Sequence, residues 1–172
     1  MGVDEDLVDV THIESSDHFQ STTLTQKNDN FVWRLINVYG LVKDNQKQDF
    51  QDELEVLIRG VIGGDFNLVR RIEEKSTSNV NLSLMDAFNN FVANTGLREI
   101  HRGGGQYTWT NKQINPVMVV LNRIFMNSTW EDYFPLVTTH SITRMGSNHN
   151  PLVVELSSDR GVRSIFFLFE AA

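Results

Sequence analysis

The feature that most limits how this chain can fold is a short apolar strand that ends in closely spaced polar residues. Val61-Ile62-Gly63 runs directly into Gly64-Asp65-Phe66-Asn67. Because side chains alternate along an extended backbone, Asp65 and Asn67 are expected on the same side of the chain. A carboxylate placed there can align water for attack on phosphorus, and an amide can donate to a phosphoryl oxygen. Gly, Asp and Asn are also the usual residues of a strand-to-loop turn, and that alternative stays open.

The preceding segment predicts a strand and then a helix. Residues 31–39 are rich in β-branched and aromatic residues and stop at Gly40, which predicts a strand that delivers Tyr39 at its end. From Asp44 to Arg59, large apolar residues recur at helical spacing with charged residues between them, which predicts an amphipathic helix. Gly60 is expected to end that helix.

The remaining elements alternate in the same way. Ser83, with Asp86 three residues on, resembles a capping box at the start of a helix that ends at Gly96. Short apolar runs predict three more strands, within residues 117–125, 136–139 and 151–156. Residues 1–30 are polar and predict a loose edge strand with loops, so ordered structure is expected to begin near Phe31. A sheet layered against helices follows, and the fold class is α/β (α+β).

A second polar group lies near the C-terminal strand. Ser147-Asn148-His149-Asn150-Pro151 precedes Leu152-Val153-Val154, and an imidazole at the mouth of a strand can stabilise charge on a pentacoordinate phosphate. A polar loop with an exposed His is the alternative. Asn122 lies inside an apolar run and must find a hydrogen-bond partner if it is buried. Tyr107 and Trp109 suit either core packing or stacking on a base.

Composition restricts the setting of the chain. Its 172 residues suffice for one domain, and 40% of them are hydrophobic. The net charge of -7 counts against tight nucleic-acid binding unless a local basic patch or a divalent metal offsets it. The absence of Cys excludes a thiol nucleophile and a disulfide framework. No stretch resembles a membrane span or a signal peptide, so an intracellular protein, nuclear or cytoplasmic, is expected.

Several separate motifs, in order, carry a resemblance over residues 31–156. The motifs are Asn37-Val38-Tyr39-Gly40, Gly64-Asp65-Phe66-Asn67-Leu68-Val69-Arg70, Glu73-Glu74-Lys75-Ser76, Gly104-Gly105-Gln106-Tyr107-Thr108-Trp109-Thr110-Asn111, Trp130-Glu131-Asp132-Tyr133-Phe134-Pro135 and Ser147-Asn148-His149-Asn150-Pro151-Leu152. Together they resemble the endonuclease domain of LINE-type retrotransposons, particularly those of plant genomes. That domain belongs to the exonuclease-endonuclease-phosphatase superfamily, with apurinic endonucleases and deoxyribonuclease I.

The resemblance implies a four-layered sandwich of the DNase I-like type and cleavage of nucleic-acid backbones assisted by Mg²⁺ or Mn²⁺, with DNA as the ancestral partner. It implies that Tyr39 contacts the phosphate, Asp65 positions the attacking water, Asn67 holds a phosphoryl oxygen and His149 stabilises the transition state. Tyr107 and Trp109 are the candidate substrate-binding residues.

The chain departs from the family at two further positions of the expected site. Asn122 stands where the family has an Asp that supports the catalytic His, and Asn148 stands where it has a site carboxylate. An amide cannot stabilise an imidazolium as a carboxylate does, and a hard cation prefers carboxylate oxygens. The sequence therefore predicts a degenerate site with weak or no activity.

The ends of the chain depart further. Residues 1–30 match the family poorly and are expected to lack its complete N-terminal half-sheet, where Glu14 is a tempting but unmatched metal ligand. The metal ligands are therefore unknown at this point. Residues 157–172 form a divergent tail, in which the apolar segment 164–169 could cover a sheet edge or recruit another chain.

Three functions remain open from the sequence. The first is a retroelement-derived endonuclease relic with little or no catalysis, which accounts for the motif order and both Asn replacements. The second is an active Mg²⁺-dependent nuclease or phosphatase that uses Asp65, Asn67 and His149. The third is a non-catalytic module that binds nucleic acid or protein.

Overall fold

A computed structural model describes residues 6–40, 47–55, 57–142, 146–156 and 165–169. Strands dominate this part of the chain. In chain order the elements are β1 (Val8–Ser15), β2 (Phe19–Gln26), β3 (Val32–Tyr39), α1 (Lys47–Glu55), β4 (Gly60–Asp65), a 3-10 turn (Ile72–Glu74), α2 (Leu82–Asn94), β5 (Arg98–Glu99), β6 (Arg102–Gly103), β7 (Trp109–Thr110), β8 (Met118–Val119), β9 (Asn122–Met126), α3 (Ser128–Tyr133), β10 (Thr138–Ser141), β11 (Leu152–Leu156) and β12 (Ile165–Phe169).

Two main sheets organise these elements. The first has six strands in the order β1-β2-β3-β4-β9-β5, and the second has four in the order β12-β11-β10-β6. In the first sheet β3 and β4 run parallel, whereas the other pairs are antiparallel. The predicted strands at 31–39, 61–63 and 151–156 are confirmed as β3, β4 and β11. Because β3 and β4 are parallel, their C-terminal ends lie at the same end of the sheet.

Hydrophobic side chains fill both faces of the first sheet. Alternation along the strands sends Leu35 and Val61 to one face and Ile36 and Ile62 to the other. The first face packs against the second sheet and α3, in a cluster that contains Leu24, Trp33, Leu35, Val61, Ile124, Trp130, Leu152 and Val154. The second face packs against α1 and α2, in a cluster that contains Ile36, Val38, Phe50, Leu54, Ile62, Phe88, Phe91 and Phe125. The described residues thus account for three layers, helices, sheet and sheet, of the predicted four-layered sandwich.

The prediction that ordered structure begins near Phe31 is wrong. Strands β1 and β2 form a hairpin ahead of β3, and β2 pairs with β3 from Phe19 to Thr25. Leu24 of β2 is fully buried, whereas most of β1 is exposed at the sheet edge. The polar character of this segment was misleading because threonine is β-branched and favours strands as valine does. Ser16 helps to make the turn by accepting a hydrogen bond from the His18 amide through its Oγ.

Two helix boundaries also differ from the predicted ones. Described α1 ends at Glu55, and Gly60, the expected stop, is instead the first residue of β4; residues 44–46 lie outside the described part. Helix α2 is capped by Asn81, whose side chain accepts from the Leu84 amide, so Ser83 lies inside the helix and the capping-box prediction is wrong. Asn is as good an N-cap as Ser, and the true cap is two residues earlier.

The C-terminal strands depart from expectation in one respect and follow it in another. The apolar run 117–125 divides into β8 and β9 rather than forming one strand. Strand β12 pairs antiparallel with β11, so the tail covers a sheet edge, one of its two predicted uses. No helix in the described part of the chain is long and apolar enough to cross a membrane.

Candidate active site

Three polar side chains form a row across one end of the first sheet. Tyr39 is the last residue of β3 and Asp65 the last of β4, and the two are paired in register. Asp65 is in turn paired with Asn122, the first residue of β9. Paired residues of neighbouring strands point to the same face. Three of the residues predicted from the sequence therefore lie side by side at one end of the sheet.

Two glycines allow the ends of β3 and β4 to approach closely. Gly64 has a φ of 131°, and a Cβ there would lie 2.3 Å from the carbonyl oxygen of Val38. A Cβ on Gly40 would lie 2.3 Å from the carbonyl carbon of Phe66. The glycines of the motif are thus required by backbone contacts beside Asp65.

Asn67 is not held in the expected way. Strand β4 ends at Asp65, and Asn67 has a left-handed backbone with a φ of 51°, which Asn tolerates better than most residues. The prediction that Asp65 and Asn67 lie on the same side of the chain assumed that the strand continues to Asn67. That assumption is wrong. Instead the backbone amide of Asn67 donates to Oδ1 of Asp65 at 2.9 Å. This is an Asx-type turn, so the turn interpretation and the site interpretation apply to the same residues.

The His149 ring lies next to two members of this row, Asp65 and Asn122. Its Nδ1 lies 3.0 Å from Oδ1 of Asn122, and its Nε2 lies 3.9 Å from Oδ2 of Asp65. The side chains of His149 and Asp65 are 23% and 17% exposed, so the pair is largely shielded but open to a small ligand. The structure thus brings together Asp65, Asn122 and His149, the residues that the family resemblance assigns to one site.

The small β7–β8 sheet holds the His149 segment in place. Trp109 and His149 form an isolated antiparallel bridge, and their ring centroids lie 6.4 Å apart. The Thr110 amide donates to the carbonyl of Asn148, and the Asn150 amide donates to the carbonyl of Thr108. Trp109 is therefore beside the site, where it could also meet a substrate.

Tyr107 and Asn148 are less closely tied to the site. Tyr107 is half-buried and precedes the buried Thr108. Asn148 is exposed, and its carbonyl rather than its amide side chain makes the contact with Thr110. The structure thus leaves the Asn148 side chain open to water.

Burial has the largest effect on the pKa of the Asp65 carboxyl group. Desolvation raises the pKa of this carboxyl group above its usual 3.8, against the opposing effects of the Asn67 amide hydrogen bond and of the charges of His149 and Lys47. A carboxylate that is partly desolvated and accepts a hydrogen bond on one oxygen keeps the other oxygen available. Such a group can accept a proton from a water molecule or a phosphate.

A buried ion-pair network supports the neighbouring loop. The Arg123 side chain is 1% exposed; it pairs with Glu74 and, at 2.7 Å, with Glu99. Glu99 also pairs with Arg70 at 2.7 Å, and Glu74 accepts from the amides of Arg70 and Arg71. The segment that follows Asn67 is thereby fixed to β9 and β5.

Sequence reasoning gave no role to three residues that shape the site. Thr108 is fully buried, and its Oγ1 accepts from the amides of Leu121 and Asn122. Asn37 is buried and donates through Nδ2 to the Tyr39 hydroxyl oxygen at 3.0 Å. Lys47 donates to the Asn67 carbonyl at 3.2 Å. A polar residue inside an apolar strand was a usable signal for Asn37, but nothing in the local sequence marks Lys47 or Thr108.

The residues at this edge do not form a complete metal site. In the described ranges no three His, Cys, Asp or Glu side chains are grouped as metal ligands. Glu14 does not join Asp65, since it lies on the exposed β1 and pairs with Arg34 at 3.8 Å. Mg²⁺ is usually held by one or two carboxylates with waters and substrate phosphates. The family resemblance implies a further carboxylate ligand, and among the described residues none is grouped with Asp65 and His149.

Comparisons with known proteins concern the fold. Neither a protein-family model nor a curated protein matches the sequence. Among solved structures, the endonuclease domain of TRAS1, a telomere-specific non-LTR retrotransposon, is similar with a TM-score of 0.71 and 14% identity, over 91% of this chain and 72% of that one.

Two further structures are similar at lower scores. The human Nocturnin catalytic domain with bound sulfate gives a TM-score of 0.53 and 10% identity, over 95% of this chain and 61% of that one. D. rerio TDP2 with a single-strand DNA product gives 0.51 and 16% identity, over 95% and 70%. The chain therefore has the DNase I-like fold of the endonuclease/exonuclease/phosphatase type, as the sequence predicts.

Proposed function

We propose that this chain is a phosphodiester-recognising domain, derived from a retroelement endonuclease, in which hydrolysis of nucleic-acid backbones is weak or absent. The observation that carries the proposal is the contact between His149 and Asn122. Asp65 and His149, to which the family resemblance gives the phosphodiester chemistry, lie 3.9 Å apart, but an amide occupies the position that would support the imidazole.

The Asn122 amide provides poor support for a catalytic imidazole. It carries no charge, so it does not stabilise the imidazolium that forms when His149 takes up a proton. An amide can also present either its oxygen or its nitrogen to Nδ1, so it does not fix one tautomer of the ring. The Asn122 Nδ2 is buried without a partner, which adds the cost of an unsatisfied donor.

The other groups at the edge remain suited to a phosphodiester. The hydroxyl oxygen of Tyr39 already accepts from Asn37, so its own proton is directed elsewhere and can reach a phosphate oxygen. Asp65 can orient a water molecule, and Nε2 of His149 can donate to a phosphoryl oxygen when the ring is protonated. These groups can thus still bind a phosphate, although the amide at position 122 weakens turnover.

The proposal is tested by restoring the carboxylate. Asn122→Asp should raise nicking of supercoiled plasmid in Mg²⁺ or Mn²⁺ by at least about tenfold, since a positioned acid–base group contributes roughly 10²–10⁴ in rate. The parent should show little or no nicking. The measurement is the fraction of nicked circles against time, with folding checked by circular dichroism.

Three further variants separate the possible outcomes. Asn111→Asp is the matched control, because it adds the same charge on the β7–β8 loop and keeps an acceptor for the Val117 amide. It should not raise nicking, whereas Asp65→Ala or His149→Ala placed on Asn122→Asp should abolish the gain. Strong nicking by the parent, lost in both alanine variants, would instead establish an active enzyme. A folded Asn122→Asp variant without any gain would argue against the phosphodiesterase assignment.

A second candidate is a binding module without catalysis. It is favoured by a group of cationic and amide side chains next to Asn67, in a chain whose net charge is otherwise -7. Salt-dependent binding of single-stranded DNA by a protein that no substitution makes catalytic would select this function.

A further inference from the structure

A small cleft opens beside the candidate site, next to Asn67. It has a volume of about 180 Å³ and lies between the start of α1, residues 67–69, residues 79–81 and the first turn of α2. Its described lining contains two lysines, Lys47 and Lys75, and no acidic residue. The charged residues of this lining are thus both cationic, in a chain whose net charge is -7.

Lys47 connects the cleft with the candidate site. It is buried, at 7% exposure, and its Nζ donates to the carbonyl of Asn67 at 3.2 Å. The amide of the same Asn67 donates to Asp65. One residue thus joins the ammonium group to the carboxylate, and the charge of Lys47 acts on Asp65. A ligand in the cleft would lie directly beside one held at Asp65.

Lys75 supplies the second charge of the lining. Its Nζ donates to the carbonyl of Asn79, which ties together the two ends of the segment 75–79. The segment before Lys75 is fixed by the buried pair of Glu74 with Arg123. The ammonium group is therefore presented by a braced loop, which lowers the ordering cost of binding an anion.

The size and chemistry of the cleft select the ligand. Clefts that enclose drug-sized molecules measure roughly 300–1,000 Å³, so this cleft accommodates a single group. Two lysines and three asparagines, Asn67, Asn79 and Asn81, line the cleft and favour an anion with several acceptor oxygens. The lining also includes apolar residues such as Leu68 and Leu84, which lower the local dielectric constant and strengthen the attraction between opposite charges.

We infer that this cleft binds a phosphate group of a nucleic-acid strand, the neighbour of the phosphodiester that lies at Asp65 and His149. The inference rests on the proposed function for the location of the first phosphodiester. Binding in the cleft uses the two lysines and requires no metal ion.

The test is binding of a short fluorescein-labelled single-stranded DNA, measured by anisotropy in EDTA across a salt titration. Loss of one phosphate contact should lower the slope of log K against log salt by about 0.7 for a single strand. Lys75→Met should show this loss and weaken binding equally for two unrelated sequences. Lys47→Met should do the same if it folds.

Two variants protect the test from a folding artefact. Asn79→Asp places a carboxylate on the exposed rim of the cleft without removing a buried group, and it should also weaken binding. Lys27→Met is the matched control, because Lys27 pairs with Asp9 at the opposite end of the first sheet. It should leave the slope unchanged. Unchanged binding and slope in both Lys75→Met and Asn79→Asp would overturn the inference.

Inorganic phosphate separates the cleft from other nucleic-acid contacts. Phosphate should compete with the DNA for the native protein and compete less for Lys75→Met. Equal competition in the two proteins would place the phosphate site elsewhere and overturn the inference. The proposed function can fail independently: an inactive Asn122→Asp variant together with weakened binding by Lys75→Met would reject the phosphodiesterase assignment and retain the cleft.

Discussion

At the scale of single residues, the site combines retained and altered groups within a few ångströms. Asp65 keeps its position at the end of β4 and accepts from the Asn67 amide, while Asn122 faces His149 from the neighbouring strand. A one-atom difference between an amide nitrogen and a carboxylate oxygen therefore decides how much support the imidazole receives.

The buried charge of Asp65 gives a pH-dependent stability prediction. Its pKa is raised in the folded state, mainly by desolvation, so the stabilising effect of protonation is fully present below pH 3.8 and is lost as the pH rises through the folded pKa. Asp65→Asn keeps the acceptor for Asn67 but carries no charge. The variant should be more stable than the parent at neutral pH, and its advantage should shrink in acid.

Urea unfolding at a series of pH values measures this difference. Asp9→Asn is the control, since the Asp9 side chain is 62% exposed and water already solvates its charge. An Asp65→Asn variant that is less stable than the parent at neutral pH would show that the opposing attractions to His149 and Lys47 outweigh desolvation.

At the scale of secondary-structure elements, the N-terminal hairpin is the main addition to what the sequence indicated. Strand β2 joins the first sheet between β1 and β3, and it contributes Leu24 to the cluster between the two sheets. The hairpin therefore belongs to the hydrophobic core and is not a peripheral extension.

Leu24→Ala should lower the free energy of unfolding by about 2–5 kcal/mol, because it leaves a cavity in a packed cluster. Ile13→Ala, on β1 of the same hairpin, is the matched control, since Ile13 is 61% exposed. Its effect should stay within about 0.5 kcal/mol. Equal effects of the two substitutions in urea unfolding would show that β2 does not pack as described.

The sequence predicted those elements whose periodicity is strong. Strand β3, strand β4 and the buried face of α2 follow from local patterns of apolar residues. The hairpin did not follow, because Ser, Thr and Gln were counted as loop residues although Thr favours strands. The grouping of His149 with Asn122 followed from the family resemblance, whereas the contribution of Lys47 depends on tertiary packing that no local pattern encodes.

At the scale of the whole molecule, the two hydrophobic clusters lie on opposite faces of the same strands. Leu35 and Ile36 are consecutive residues of β3, yet each belongs to a different cluster. Loss of either cluster removes support from the strands that form the other. The described structure should therefore unfold as one cooperative unit.

Two optical probes test this cooperativity. In a Trp109→Phe variant, tryptophan fluorescence reports the cluster between the sheets, which contains Trp33 and Trp130. The helical signal in far-ultraviolet circular dichroism comes mostly from α1 and α2, the two longest helices described, on the opposite face. The two denaturation curves should have the same midpoint. Separate midpoints would show that the helical layer melts independently of the second sheet.

The order of strands in the first sheet also has a consequence for how the chain acquires its site. Strands β1, β2 and β3 are joined by short turns, but β9 reaches its place beside β4 only after a long excursion through α2 and the β7–β8 sheet. Contacts between distant parts of a chain form late because loop closure costs entropy before any pairing is gained. During synthesis on the ribosome β1, β2 and β3 can pair early as three consecutive strands, whereas Asp65, Asn122 and His149 can meet only once nearly the entire described chain has emerged.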